Sequence, residues 1–342
     1  MMKTFNVGAL RQAIGKLRLQ DSNDLVQRTL ARHGLSLPGQ QAGFQPPFAA
    51  PAADPVPPGA SAGTGRFSCA AGSRDYLAYV PASAEGGIRG MVVMLHGCTQ
   101  DPADFARGTG MNALAEEHRL VVLYPHQSRG ENAQSCWNWF SAGDQRRGRG
   151  EPEILARMAA DLAGRHDVPR DRIFVAGLSA GAAMAVILGQ THPDVFVAVG
   201  AHSGLPFGAA RDVPSAFAAM NGQGAEPLAP GKAAPTPTIV FHGSADRTVH
   251  PLNGDRIAAA TLAAGPVQTM LDRKTGTAGA RRFTREITTL PDGRVLLEHW
   301  RIEGLGHAWS GGKPGGSHAD PQGPDASAAM LRFFLDQPRA AG

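Results

Sequence analysis

The sequence predicts an α/β protein with a mostly parallel central sheet, helices on both faces of that sheet, and an N-terminal antiparallel hairpin. From residue 66 onward, short apolar runs alternate with segments of helical pattern. Such runs are typical of parallel strands, because helices cover both faces of the sheet they form. The chain has 342 residues, of which 42% are hydrophobic. This is enough for one large domain, which we expect over residues 66–338.

The first half of this domain opens with a hairpin formed by residues 66–69 and 76–80. Met91–Leu95 and Leu120–Tyr124 are continuous apolar runs, and we predict that both are buried strands. The segment Asp104–His118 between them has a helical pattern. These four strands and this helix therefore precede the most informative part of the chain.

The second half continues the alternation. A helix is predicted at 153–165, and strands at 172–176, 195–199 and 238–241. Pro291-Asp292-Gly293 is a strong turn signal, so the flanking segments 282–289 and 294–302 are predicted to form a hairpin. A final helix is predicted at 325–334.

Residues 1–37 are predicted to be a basic helical arm, and the Pro/Ala/Gly-rich residues 38–65 a linker. Residues 1–40 contain six Lys/Arg and two Asp/Glu, and the remainder of the chain has 27 of each sign. The net charge of +4 therefore belongs to the arm, which argues against a nucleic-acid-binding body. The arm has two interpretations. It is either a pair of helices that are docked on the body or loosely ordered, or it is a cationic segment that adheres to apolar or anionic surfaces.

Other targeting and binding signals are absent from the sequence. We find no stretch long and apolar enough to span a membrane and no recognisable secretory signal. The three cysteines lack the C-x-x-C spacing of a zinc site, so no metal is expected.

Residues 177–181, Gly-Leu-Ser-Ala-Gly, are the most informative motif. An apolar strand-like run precedes the motif and an apolar run of good helix formers follows it, which is the context that a G-x-S-x-G nucleophile turn requires. Residues 59–63 match the same pattern but lie in the predicted linker. We therefore predict that Ser179 is a nucleophile and that Ser61 is not.

A serine nucleophile needs a base and an acid that orients the base. Asp246 follows the predicted strand 238–241, and His307 follows the predicted strand 294–302 in a Gly-rich turn. The chain order Ser179, Asp246, His307 is the one expected when each residue follows a parallel strand. The alternatives that we consider less suitable are Asp255, Asp272, His250, His299 and His318, and His242 is interpreted as a group that supports the site.

An oxyanion hole needs two donors. The Ala180 amide is one, and the loop after the strand 91–95 offers the other. Gly97 lets this loop turn inward, so we assign the second donor to the amide of Cys98, with that of Thr99 as the alternative. The motifs are less consistent with Cys98 as the nucleophile than with Ser179 as the nucleophile.

Four motifs together resemble a known family. They are Leu95–Gln100 (LHGCTQ), Ser135–Phe140 (SCWNWF), Gly177–Gly181 (GLSAG) and Gly306–Trp309 (GHAW). In this order they are similar to the esterase family of poly(3-hydroxybutyrate) depolymerases, which is related to feruloyl and acetylxylan esterases. The resemblance covers about residues 66–338.

The resemblance implies an α/β-hydrolase fold and a Ser-His-Asp esterase without metal or organic cofactor, acting on short-chain polyesters such as poly(3-hydroxybutyrate), their oligomers or related esters. It implies the triad Ser179, Asp246 and His307, the oxyanion loop 96–100 and a Cys98–Cys136 disulfide, with Cys69 left as a thiol. It also suggests an extracellular protein, whereas the missing signal peptide leaves a cytoplasmic one as the alternative.

Aromatic residues near the predicted site have two interpretations. Trp137, Trp139 and Trp309 are expected to wall a substrate cleft, with packing in the core as the alternative. Thr99 is a further candidate for substrate contact.

Two other functions are compatible with the sequence: a feruloyl or acetylxylan-type esterase, and a non-catalytic binding protein on a hydrolase scaffold.

Overall fold

The central sheet has ten strands, and its six middle strands are parallel. The computed structural model describes residues 56–224, 235–266 and 268–338. The strands are β1 (Ser61–Cys69), β2 (Gly72–Val80), β3 (Gly90–Leu95), β4 (Leu120–His126), β5 (Ile173–Leu178), β6 (Ala198–His202), β7 (Thr238–Gly243), β8 (Met270–Ala278), β9 (Arg281–Thr289) and β10 (Val295–Ile302). Their spatial order is β1-β2-β4-β3-β5-β6-β7-β10-β9-β8, and two antiparallel strands flank the parallel block at each edge.

Apolar residues cover both faces of the parallel strands. In β3, Met91, Val93 and Leu95 contribute to one hydrophobic core, and Val92 and Met94 contribute to the other. Successive side chains of a strand point to opposite faces, so a continuous apolar run supplies both cores. The prediction of a mostly parallel sheet with an N-terminal antiparallel hairpin is confirmed.

Seven α-helices of the described residues cover these faces. They are α1 (Pro102–Thr109), α2 (Met111–His118), α3 (Gly150–Arg165), α4 (Ala180–Thr191), α5 (Val213–Met220), α6 (Leu252–Ala263) and α7 (Ala326–Leu335). Residues of α3, α4, α5 and α6 belong to the first core, and residues of α1, α2 and α7 belong to the second. The helices therefore lie on both sides of the sheet, as predicted.

The prediction of a single helix over residues 104–118 is wrong, because the structure has two helices there, α1 and α2. Gly110 separates α1 from α2 with a left-handed φ of 62°. A Cβ atom there would lie 2.9 Å from the side chain of Lys313, so glycine suits this position for space as well as conformation. The apolar pattern continues across Gly110, and the break between the two helices could therefore not be predicted from this pattern.

The predicted linker extends too far toward the C-terminus. β1 begins at Ser61, which pairs with Val80 of β2, so residues 61–65 belong to the sheet. Residues 61–64 are exposed on both faces of the strand, which explains why they lack an alternating apolar pattern. The predicted arm 1–37 and the linker up to residue 55 lie outside the described residues.

Two further strands differ from the prediction. The strand predicted at 195–199 runs from Ala198 to His202, so that His202 stands at its carboxyl end. β8 was not predicted, because its first six residues are exposed and mostly polar, and pairing with β9 defines it.

A small parallel sheet follows β10. It consists of β11 (Trp309–Ser310) and β12 (Ala319–Asp320). Within the described ranges, no helix has the length and apolar character needed to cross a membrane.

Candidate active site

Ser179 lies in the turn between β5 and α4. Its φ of 58° and ψ of −120° are unusual for a residue with a side chain. The amide of Ser179 donates to the carbonyl oxygen of His202 at 2.9 Å, and its carbonyl accepts from the amide of Ala183 at 3.0 Å. The strained turn is therefore held at both ends by backbone hydrogen bonds.

Close packing explains the two glycines of the motif. A Cβ atom on Gly181 would overlap the carbonyl oxygen of Leu95, at the end of β3. A Cβ atom on Gly177 would lie 2.7 Å from the same oxygen and overlap the backbone of Gly181. Both positions therefore require glycine, because the turn presses against the neighbouring strand.

Asp246 and His307 form a direct hydrogen bond. His307 Nδ1 donates to Asp246 Oδ2 at 2.8 Å. The other carboxylate oxygen accepts from the amides of Thr248 at 3.0 Å and Val249 at 2.9 Å. The carboxylate of Asp246 is thus held by three donors, and the proton on His307 Nδ1 leaves Nε2 as the basic nitrogen.

Burial acts to raise the pKa of Asp246, but other interactions outweigh it. The hydrogen bond and charge of His307, the neighbouring His242 and the amide of Val249 lower this pKa to about 2. The carboxylate is therefore ionised at any pH where the protein is expected to work. His242 Nε2 donates to the carbonyl of Val249 at 2.8 Å and lies 3.5 Å from Asp246 Oδ2, consistent with the predicted supporting role.

Sheet topology brings the three loops to one edge. Ser179 follows β5, Asp246 follows β7 and His307 follows β10, and these strands belong to the same parallel block. The carboxyl ends of parallel strands meet at one edge of a sheet, where α/β proteins bind their ligands. The three predicted residues therefore share the edge at which such a site is expected.

The loop after β3 faces the nucleophile. A Cβ atom placed on Gly97 would lie 3.6 Å from the Cβ atom of Ser179. Within the described part of the chain, neither the Cys98 amide nor the Ala180 amide has an acceptor. The Thr99 amide, by contrast, donates to the carbonyl of Gln134 at 2.7 Å. This difference favours Cys98 over Thr99 as the second oxyanion donor.

Several anchors hold this oxyanion loop, residues 96–100. A disulfide joins Cys98 to Cys136, as predicted, and Cys69 is a free thiol. The indole of Trp137 donates to the carbonyl of His96 at 3.1 Å. The amide of Gly97 donates to the side chain of Gln100 at 2.9 Å, which leaves the Cys98 amide as the available donor of the turn.

The sequence analysis did not identify Glu151, a buried residue that is linked to this loop through the segment 136–138. Glu151 accepts hydrogen bonds from the amide of Asn138 at 2.7 Å, from the Asn138 side chain at 2.7 Å and from Gln127 Nε2 at 2.6 Å. Arg74 Nη2 lies 3.2 Å from the same carboxylate. Glu151 thereby holds the segment that carries Cys136. These partners are far apart in the chain, so no local pattern marks this glutamate.

The expectation that three tryptophans wall a substrate cleft is wrong. Trp137 is 0% exposed, Trp139 5% and Trp309 1%, so their rings pack in the two cores. The buried N–H groups of two of them find acceptors, His96 O for Trp137 and Ser327 Oγ for Trp309 at 3.0 Å. An indole whose N–H is paired can be buried completely. These residues support the loops around the site.

Thr99 is the remaining candidate for substrate contact. Its side chain is exposed at the oxyanion loop, and its hydroxyl donates to the carbonyl of Cys98 at 2.6 Å. The backbone of Thr99 has a φ of 64°. A side chain at this position lies at the rim of the site and stays a candidate contact.

Comparisons with known proteins find a matching family model and several similar proteins. A family model described as Esterase PHB depolymerase matches residues 74–286. Poly(3-hydroxyalkanoate) depolymerase C of Paucimonas lemoignei is 36% identical over 229 residues, which are 64% of this chain and 54% of that protein. Poly(3-hydroxybutyrate) depolymerase of Ralstonia pickettii is 29% identical over 257 residues, or 69% of this chain and 52% of that protein. The chain thus spans about half the length of these curated relatives.

Acetylxylan esterases are also similar. Acetylxylan esterase A of Aspergillus oryzae is 29% identical over 192 residues, covering 51% of this chain and 61% of that protein. The solved structure of the acetyl xylan esterase from Aspergillus awamori superposes with a TM-score of 0.59 at 20% identity, covering 80% of this chain and all of that one. At this identity the likeness shows the fold, and the predicted α/β-hydrolase architecture is confirmed.

Proposed function

Because the chain belongs to the Esterase PHB depolymerase family, we propose that it is a serine carboxylic-ester hydrolase that works through an acyl-enzyme. The observation that carries this proposal is the hydrogen bond between the buried Asp246 and His307, at the sheet edge where Ser179 occupies its strained turn. A nucleophile, a base and an orienting acid are the groups that acyl transfer requires.

In the acylation step, His307 Nε2 takes the proton of the Ser179 hydroxyl as its oxygen attacks the ester carbonyl. The carbonyl oxygen becomes an oxyanion, which accepts hydrogen bonds from the amides of Cys98 and Ala180. The protonated imidazole then gives its proton to the departing alkoxide. Asp246 stays ionised throughout and stabilises the imidazolium through the Nδ1 hydrogen bond.

In the deacylation step, the same imidazole activates water. His307 Nε2 takes a proton from the water molecule as the water oxygen attacks the acyl carbonyl, and the second oxyanion occupies the same two amides. Collapse of this intermediate returns the proton from His307 to Ser179 and releases the carboxylic acid. No step requires a metal ion or an organic cofactor.

We infer that the substrate is a short-chain polyester such as poly(3-hydroxybutyrate), one of its oligomers, or a related short-chain ester. The names of the two depolymerases that match this chain support this substrate class. The second candidate is an acetyl or feruloyl ester of a plant polysaccharide, which the similarity to acetylxylan esterases favours. A non-catalytic binding protein is the least consistent with a hydrogen-bonded Asp246–His307 pair.

A substrate panel tests the proposal. The full chain is assayed on p-nitrophenyl butyrate, 3-hydroxybutyrate trimer, poly(3-hydroxybutyrate) film, acetylated xylan and methyl ferulate. We expect hydrolysis of the butyrate ester and the trimer, and a Ser179→Ala variant should lose roughly 10⁴-fold or more in turnover.

Ser61→Ala is the matched control, because Ser61 stands in the second G-x-S-x-G pattern but lies exposed at the start of β1. It should retain full activity. Preferential hydrolysis of the xylan or ferulate esters would favour the second candidate. Activity on none of the five substrates would favour the binding protein.

A further inference from the structure

His202 contacts the loops of Ser179 and His307 and stacks on the strand that leads to Asp246. It is the last residue of β6, which lies between β5 and β7 in the sheet. β5 leads to Ser179, and β7 leads to Asp246. A residue at this position is next to the nucleophile turn on one side and the acid loop on the other.

The backbone of His202 holds the nucleophile turn, and its ring holds the base loop. The His202 carbonyl accepts from the Ser179 amide at 2.9 Å. Its Nε2 accepts from the amide of Ser310 at 3.0 Å, three residues beyond His307. One residue thereby fixes the loop of the nucleophile and the loop of the base relative to the same strand end.

Aromatic stacking fixes the plane of the His202 ring. The ring stacks on Phe241 of β7 with centroids 5.7 Å apart and on Trp309 with centroids 5.2 Å apart. His202 is 0% exposed. The ring therefore has little freedom to turn away from the Ser310 amide.

The hydrogen bonds define the protonation state of His202. Nε2 accepts from a backbone N–H, so it carries no proton, and Nδ1 therefore donates to Ser203 Oγ at 3.2 Å. Burial lowers the pKa of His202 to about 3, against the charge of Asp246, while His242 and His307 add to the lowering. The ring is thus a neutral acceptor and does not exchange protons during turnover.

We propose that His202 is a positioning residue for ester hydrolysis, which sets the geometry between Ser179 and His307 by anchoring both of their loops to the end of β6. This inference rests on the proposed function. Small displacements of reacting groups reduce turnover strongly, even when the displaced contact is remote from the substrate. A phenylalanine at position 202 would fill the stack but would leave the buried Ser310 amide without its acceptor.

The test compares His202→Gln with His202→Asn. Both variants place an amide in the same buried space, but only the longer side chain of H202Q reaches the position of Nε2 and can accept from Ser310. We expect H202N to lose roughly tenfold or more in kcat on p-nitrophenyl butyrate relative to H202Q, with KM within about twofold for both. Both side chains carry the same amide group. A loss of kcat confined to H202N would therefore result from the shorter length of the asparagine side chain and not from a change in polarity.

His192→Asn is the control for general destabilisation. The ring of His192 is also buried and bonded at both nitrogens, to Thr191 and Glu153. It follows the far end of α4, about 20 Å along the helix from Ser179 at 1.5 Å per residue. H192N should lower the melting temperature and leave kcat unchanged.

Equal kcat values for H202Q and H202N, at equal melting temperatures, would overturn the proposal. If either variant fails to fold, the tautomer of His202 in the wild-type protein decides, measured by long-range ¹H–¹⁵N NMR. An unprotonated Nε2 from pH 5 to 9 supports the proposal, and a protonated Nε2 refutes it. Inactivity of the wild-type protein on every ester would instead refute the proposed function, so the two failures are distinguishable.

Discussion

At the scale of single residues, the site depends on a strained serine and a buried acid. Ser179 has a backbone conformation that costs a residue with a side chain about 1–3 kcal/mol. Hydrogen bonds to His202 and Ala183 hold it there. Asp246 accepts three hydrogen bonds and stays ionised, and the role we propose for it is to orient and stabilise His307.

Replacement of Asp246 by asparagine tests this role. Asp246→Asn keeps the size of the side chain but favours the wrong tautomer of His307, so turnover should fall by roughly 10³–10⁴-fold. Steady-state kinetics on p-nitrophenyl butyrate measures the loss. The control is Asp255→Asn, because Asp255 forms a partly exposed ion pair with Arg301. A larger loss of turnover in D255N than in D246N would mean that Asp255, and not Asp246, is the orienting acid.

The sequence led to three residues that the structure brings to one edge of the sheet, but it did not reveal that the tryptophans are buried. Ser179, Asp246 and His307 each follow an apolar strand in a turn with glycine or small residues, and this is a local pattern. The burial of Trp137 depends on an acceptor 41 positions away, the carbonyl of His96. Distant pairing of this kind is not visible in the sequence around the tryptophan.

At the scale of elements, the oxyanion loop depends on α3 and on the segment before it. Glu151 at the start of α3 binds Asn138, and the disulfide joins the neighbouring Cys136 to Cys98. A chain of strong contacts thus runs from a helix to the proposed oxyanion donor. The same dependence on partners explains why β8 and the start of β1 were not predicted, since their residues are exposed and pairing alone defines them.

The two glutamates at the start of α3 provide a matched test. Glu151→Gln replaces an acceptor oxygen by an N–H group that faces the donors of Asn138 and Gln127. We therefore expect the free energy of unfolding to fall by about 1–3 kcal/mol and kcat to decrease clearly. Glu153 is also buried, but its described partners are Gly148, Arg157 and His192. Glu153→Gln should therefore lower stability without changing kcat. Equal kcat in the two variants, measured beside their unfolding curves, would mean that Glu151 does not support the oxyanion loop.

At the scale of the whole molecule, buried neutral histidines link stability to pH. Burial lowers the pKa of His96 and of His299 to about 4, and that of His202 to about 3. In the unfolded chain these rings take up protons near pH 6.5. Between these values the unfolded state binds more protons, so stability decreases as the pH falls below about 6.5.

Calorimetry between pH 7.5 and 4.5 measures this linkage. The melting temperature should be nearly constant at the upper end and fall steadily below pH 6.5. His299→Leu removes one buried site and should make the decrease shallower, whereas substitution of the exposed His250 by glutamine should not change it. A melting temperature that rises on acidification would contradict the neutral state of these rings.

The basic residues 1–40 provide a second prediction at this scale. Adhesion to apolar or anionic surfaces is one of the two interpretations of this basic arm, and the proposed catalytic residues all lie beyond residue 97. Deletion of residues 1–55 should leave the rate on p-nitrophenyl butyrate within a few-fold, reduce activity on polyester particles, and remove the salt sensitivity of adsorption. An equal loss on both substrates would instead indicate helices docked on the body.

The most direct test of the account is the identity of the acylated residue. The protein is mixed with excess p-nitrophenyl butyrate, quenched in acid within the first turnovers, digested and analysed by mass spectrometry. We expect one butyryl group per chain, attached to Ser179, and an increased acylated fraction in a variant slowed in deacylation. A butyryl group on another residue, with Ser179 unmodified while the ester is being hydrolysed, would contradict the central claim.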